Sequence, residues 1–132
     1  MSIAAYKRTI KESESPRQIE RRILSRITGQ LEQNARAFDE AQDSLTRLTL
    51  LADGLRESLS ENQAVWGALK YDLADTENAL PPELKAQLLS LALWVERQTG
   101  NVLGGAPGVG ALAAINRNIV NGLAGQAPGP VG

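Results

Sequence analysis

A chain of 132 residues with 42% hydrophobic content is long enough for one domain with its own core and too short for two. It contains no cysteine and no histidine, which excludes disulfides, thiol chemistry, zinc and iron–sulfur sites built on those ligands, and catalytic triads that depend on histidine. The formal net charge is only −1, yet residues 1–36 hold eight Lys/Arg against four Asp/Glu, so the chain begins with a basic stretch.

The apolar residues indicate an all-α protein. Only one Phe, two Tyr and two Trp occur, so the core has to be built from Leu, Ile, Val and Ala, which is typical of packed helices. No apolar run approaches the roughly 20 residues that span a bilayer, and the basic N-terminus lacks the apolar centre of a signal peptide. We therefore expect a cytoplasmic, monomeric protein with no membrane segment, no enzymatic activity and no cofactor.

Two helices are predicted before residue 40. Ile3, Tyr6 and Ile10 share one helical face and predict a short N-terminal helix that needs docking to be ordered. Ser15, Pro16 and Gln18 are typical of a capping box that starts a second helix. The apolar face of this helix contains Ile19, Ile23, Leu24, Ile27 and Leu31. Its outward face carries four arginines: Arg17, Arg21, Arg22 and Arg26. The helix should end in the polar stretch 33–44.

A third, long helix is predicted from Leu45 to Leu73 and forms the centre of the bundle. Its apolar stripe alternates steps of three and four residues through Leu45, Leu48, Ala52, Leu55, Leu59, Asn62, Trp66, Leu69 and Leu73. Asn62 is the polar member, so it either fixes helix register or bonds to the backbone of a crossing segment. Gly54 leaves open whether the helix is continuous, since a helical glycine costs about 1 kcal/mol.

A fourth helix should begin at Pro81–Pro82 and end at Gly100. Residues 88–95 make it apolar on nearly all sides, as in a helix that is surrounded by others or covered by a partner. We predict a helical bundle core at 1–99, a Gly-rich linker at 100–110, a tethered amphipathic helix at 111–123 and a flexible tail at 124–132. The fold is thus four main helices plus the short N-terminal one.

Short motifs along most of the chain resemble one family. They are Tyr6-Lys7, Pro16-Arg17-Gln18-Ile19-Glu20, Glu61-Asn62-Gln63 with Trp66 and Leu69, Asp72-Leu73, Leu80-Pro81 with Leu84, Leu88-Leu89-Ser90-Leu91-Ala92, Trp94-Val95, Ile115-Asn116-Arg117 and Gly122-Leu123. In order and spacing the sequence resembles the FlaF family of flagellar biosynthesis regulators. The resemblance implies a small, non-catalytic cytoplasmic protein that is needed for flagellin synthesis and export. It implies binding to flagellin in the manner of an export chaperone, and action alongside a flagellin translation repressor of the FlbT type.

Surplus apolar helix surface agrees with that implication, because such surface captures amphipathic helices like those at the ends of flagellin. The predicted partner-binding residues are Asn62, Trp66, Leu91, Trp94, Leu112, Ile115, Asn116, Ile119 and Leu123. The C-terminal helix either covers an apolar groove on the fourth helix until a client displaces it, or is a permanent part of the core. As an alternative function, the basic N-terminal helices contact flagellin mRNA through Arg17, Arg21, Arg22 and Arg26. The net charge of −1 makes nucleic acid the less favoured partner.

Overall fold

The computed structural model describes residues 16–123, with side chains from Arg21 to Gly122. This part of the chain is all-helical and contains no strand. The helices are α1 (Pro16–Asp39), α2 (Ser44–Leu50), α3 (Arg56–Ala74), α4 (Pro82–Leu103) and α5 (Val109–Leu123), and a kinked segment, Leu51–Leu55, joins α2 to α3. The all-α prediction is confirmed. The predicted N-terminal helix and the tail lie outside the described residues.

Helix α1 buries one stripe and ends at Asp39, within the polar stretch 33–44 where the sequence predicts its end. Leu24, Ile27 and Leu31 are buried, as expected from their spacing. The helix continues into the polar stretch as far as Asp39, because Phe38 is fully buried and holds the last turn against the core. The pattern places Ile23 in the same buried group, but its side chain is 41% exposed.

The predicted long helix is two helices, since the backbone turns at Asp53 and Gly54. Gly54 has φ +102°, a conformation in which a Cβ is strained, and Asp53 is also non-helical. The turn rotates the preceding residues away from the seam, so Leu45 is 74% exposed and Ala52 is also exposed. Beyond the turn, five residues of the predicted seam are buried, namely Leu55, Leu59, Asn62, Trp66 and Leu73, and Leu69 is half-buried.

Helix α4 ends at Leu103, beyond the predicted end at Gly100. The helix continues because Thr99 and Val102 are both fully buried, while Gly100 lies on its exposed side. Residues 104–108 then connect α4 to α5. Gly108 in this connection has φ +133° and lies directly against the side chain of Gln98, so the turn requires glycine.

Helices α1 and α5 pack against each other in antiparallel directions. Asp39 at the end of α1 bonds to the start of α5, and Glu32, about two turns earlier, pairs with Arg117 further along α5. The buried face of α5 consists of Val109, Leu112, Ala113, Asn116 and Val120. Val109, Leu112 and Ala113 belong to the same hydrophobic cluster as Ile27, Leu59, Trp66 and Val95. In this structure, α5 therefore contributes to the core of its own chain.

Candidate functional site

Three buried side chains from α3 and α5 form a hydrogen-bonded network in the core. The Trp66 indole Nε1 donates to Asn116 Oδ1 at 2.8 Å, and Asn116 Nδ2 donates to Asn62 Oδ1 at 2.6 Å. Asn62 and Asn116 are fully buried, and Asn62 Nδ2 has no partner. A buried amide is costly unless its polar atoms form hydrogen bonds. Asn116 can bond to both Trp66 and Asn62 only when α5 packs against α3 in one register. Asn62, which the sequence predicts either to fix helix register or to bond to the backbone of a crossing segment, is thus bonded to the side chain of Asn116.

The start of α5 is bound to the end of α1 through a carboxylate. Asp39 Oδ1 accepts hydrogen bonds from the backbone N–H groups of Gly108 at 2.8 Å and Val109 at 2.9 Å, and Oδ2 accepts one from Gly110 at 2.8 Å. These N–H groups have no partner inside the helix, and the positive end of the helix dipole favours the negative charge. Asp39 therefore acts as the cap of a helix that begins 70 residues later in the sequence.

Helices α3 and α4 enclose an open groove of about 330 Å³. Its floor is mainly apolar and includes Trp66, Gly67, Leu89, Ala92 and Val95. Tyr71 stands at the edge and is 82% exposed, and no atom outside the adjoining part of α3 lies within 4 Å of the position that a Cβ on Gly67 would occupy. The groove is therefore already formed in this structure, and the space above Gly67 is open.

A charged pair marks one side of this groove. Lys70 Nζ lies 3.1 Å from Glu96 Oε2, joining α3 to α4, and both side chains are about half exposed. An exposed ion pair of this kind contributes little stability, so a bound partner can exchange its own charges with either group at small cost. No group of three or more Asp, Glu, Cys or His side chains that could hold a metal ion occurs among the residues the structure describes.

The predicted partner-binding residues fall into three groups. Asn62, Trp66, Leu112 and Asn116 are buried in the core, and of these only Trp66 also lines the groove. The half-buried residues packed against the core are Leu91, Trp94, Ile115 and Ile119. Leu123 is the last residue of α5, and its side chain lies outside the described range. The structure brings Asn62, Trp66 and Asn116 together, but as a hydrogen-bonded network inside the core rather than on a surface that a partner can reach.

The predicted RNA-binding arginines do not form one uniform patch. Arg21 and Arg22 are exposed on α1. Arg26 Nη2 lies 2.7 Å from Glu61 Oε2 on α3, so part of its charge is already balanced. The side chain of Arg17 lies outside the described range. Contact with RNA stays a prediction.

Two features of the site are not evident in the sequence. The groove-facing residues Gly67 and Tyr71 lie beside the α3 seam, and nothing local indicates that α4 leaves space above them. Asp39 is one acidic residue among several near a helix end. A preference of Asp for helix N-termini is known, but the sequence does not show which helix begins beside it.

A family model described as "Flagellar protein FlaF" matches residues 2–123. Searches of curated proteins and of solved structures return no match. Within residues 16–123, no helix is both long and apolar enough to cross a membrane.

Proposed function

The chain belongs to the FlaF family of flagellar proteins, and from this premise we propose that it is a non-catalytic cytoplasmic protein that captures flagellin. In this proposal it holds a terminal amphipathic helix of flagellin before export and so counteracts a flagellin translation repressor of the FlbT type. The observation that carries the proposal is the open apolar groove between α3 and α4.

The groove is long enough to receive part of one face of a client helix. It follows α3 from Gln63 to Ala74, a distance of about 17 Å at the helical rise, or about three turns. An amphipathic helix binds such a groove by placing its i, i+3 or i+4 and i+7 side chains on the apolar floor. The free space above Gly67 accommodates one bulky client side chain, beside the exposed ring of Tyr71.

The floor of the groove is held in place before any client arrives. Trp66 is 3% exposed, and its indole N–H is fixed by Asn116 of α5. Preorganised binding surfaces lose less side-chain entropy when the partner binds. In this proposal α5 supports the groove from behind through Asn116, instead of opening and closing it.

The test fills the groove by a single substitution, Gly67→Phe. Gly67 is helical and exposed, and a side chain there meets no atom within 4 Å of its Cβ, so the fold should tolerate phenylalanine. We expect the dissociation constant for unpolymerised flagellin, measured by calorimetry, to rise at least about tenfold, which is about 1.4 kcal/mol. Co-purification with the FlbT-type repressor is measured with the same variants.

The matched control is Gly100→Phe. Gly100 is also a helical, exposed glycine, and no atom lies within 4 Å of the position that its Cβ would take, but it is on α4 outside the groove. This variant should bind flagellin like the unsubstituted protein. Equal affinities of the two variants would remove the groove as the binding site, and absence of flagellin binding by the unsubstituted protein would remove the proposed function itself.

A further inference from the structure

One face of α4 is exposed over most of the length of the helix. Glu83, Ala86, Ser90 and Arg97 are exposed, and Leu93 is 47% exposed. At 3.6 residues per turn these five side chains fall within an arc of about 80°, which we call the outer face of α4. The residues that α4 buries lie on the opposite side of the helix. The outer face therefore takes no part in the core of its own chain.

The outer face carries opposite charges at its two ends. Glu83 lies in the first turn of α4, and Arg97 lies about 21 Å further along the helix at 1.5 Å per residue. Ser90 is midway between them in the sequence. Neither the Glu83 carboxylate nor the Arg97 guanidinium has an ion partner among the residues that the structure describes. Both charges are therefore available to a second molecule.

This arrangement of charges is complementary to itself. When two α4 helices lie antiparallel about a two-fold axis beside Ser90, Glu83 of each copy is level with Arg97 of the other. Opposite charges then meet at both ends of the contact, as an isologous interface requires. A parallel pair would instead bring Glu83 to Glu83 and Arg97 to Arg97. The charges therefore favour the antiparallel pair and disfavour the parallel one.

The sizes of the side chains are complementary in the same pairing. Trp94, which is half-buried at the edge of the outer face, comes level with the small Ala86 of the other copy. Leu93 comes level with Gln87, whose flexible stem can cover an apolar neighbour. Ser90 meets its own copy at the axis, where a small side chain lets two helices approach to about 8–10 Å. Large side chains thus meet small or flexible ones along the whole contact.

We propose that the outer face of α4 binds the same face of a second copy, so that two chains form an antiparallel two-fold dimer. A single pair of helices buries less than the roughly 1,600 Å² of a standard interface, so the dissociation constant should be micromolar or weaker. The monomer expected from the sequence is then the form present at low concentration. Glu96, which lines the α3–α4 groove, is about 120° round α4 from Ser90. The dimer contact is therefore separate from the groove, and neither proposal depends on the other.

The test is charge reversal, with the full chain studied by sedimentation equilibrium from about 1 to about 500 µM, a range that covers micromolar affinity. Glu83→Arg and Arg97→Glu each convert two attractive contacts of the dimer into two repulsive ones. We expect each single variant to raise the dissociation constant of the dimer at least about tenfold. The double variant restores opposite charges at both ends, so its dissociation constant should return to within about threefold of the original. Circular dichroism checks that each variant stays folded.

The matched control is Glu57→Arg. Glu57 is also an exposed carboxylate in the first turn of a helix, but it lies on α3, so its reversal should leave the dissociation constant unchanged. A chain that stays monomeric over the whole range would overturn the inference. A dimer that the single reversals do not weaken, or that the double variant does not restore, would overturn it too, because the copies would then meet elsewhere. None of these results bears on flagellin capture, which the Gly67→Phe variant tests separately.

Discussion

Replacing Asp39 by alanine is the most direct test of how α5 is attached. The substitution removes the acceptor of three backbone N–H groups, those of Gly108, Val109 and Gly110, at the first turn of α5. Asp39 and the two glycines are half-buried, so water can replace part of what is lost. The helix itself stays intact, because Val109 and Leu112 keep it in the core.

The expected loss of stability is the sum of two contributions. Losing the side-chain cap of a helix costs about 0.5–2 kcal/mol, and losing the charge at the positive end of the dipole costs about 0.3–1 kcal/mol. We therefore expect the free energy of unfolding to fall by about 2 kcal/mol. In a domain of this size the melting temperature falls by about 4 °C per kcal/mol, or about 8 °C in total.

Urea denaturation followed by circular dichroism measures this loss. The control is Glu40→Ala at the next position, whose carboxylate only makes an exposed ion pair with Arg36 at 3.3 Å and should change stability by less than about 0.5 kcal/mol. Asp39→Asn should lie between the two, because its amide retains one acceptor oxygen but presents a donor to one of the N–H groups. If Asp39→Ala is no more destabilising than Glu40→Ala, the carboxylate does not hold α5.

Three other measurements test the buried hydrogen-bonded network, the turn before α5 and the dependence of stability on pH. Asn116→Ala should lower the free energy of unfolding by about 2–4 kcal/mol, since it leaves the Trp66 indole N–H buried without an acceptor; a loss below about 1 kcal/mol in urea would contradict the network. Gly108→Ala should lower the free energy of unfolding by about 1–3 kcal/mol, because φ is +133° and the new Cβ collides with the side chain of Gln98. Gly100→Ala, in contrast, should raise the free energy of unfolding by up to about 1 kcal/mol. The pKa of Asp43 is lowered by a backbone hydrogen bond, so its carboxylate stabilises the fold at neutral pH, and this contribution is lost as the pH falls below about 4. The difference in stability between the unsubstituted protein and Asp43→Asn should therefore shrink between about pH 6 and about pH 3. A difference that stays constant with pH would contradict the role of this carboxylate.

Local periodicity explains why much of the helical pattern is predictable. Leu55, Leu59 and Trp66 are buried at the spacing that the sequence shows. The same rule is wrong for Leu45, which is largely exposed, because Gly54 turns the chain before the seam. A helical glycine costs only about 1 kcal/mol, so local sequence does not decide between a straight helix and a kink. Packing decides it.

The candidate site depends on contacts between distant residues, which a single sequence does not encode locally. The apolar stripe identifies Asn62 as a buried amide that needs a partner, but its partner Asn116 is 54 residues away. The sequence leaves open whether the C-terminal helix covers a groove on the fourth helix or belongs permanently to the core. In the structure the groove lies between α3 and α4, while α5 packs along α1. The position of the groove and the packing of α5 both depend on which helices lie next to each other, and amphipathic patterns alone do not specify this.

The pairing of α1 with α5 has a consequence for how the protein folds as it is made. Glu32 and Arg117 are 85 residues apart, and Asp39 and Gly110 are 71 apart, so their contacts close long loops. At about 5–20 residues per second, the ribosome needs about 4–14 seconds to proceed from Asp39 to Gly110. During that interval Ile27 and Phe38, both fully buried in the finished fold, have no α5 to cover them. The nascent chain therefore passes through a stage with an exposed apolar face, and final packing waits for its last helix.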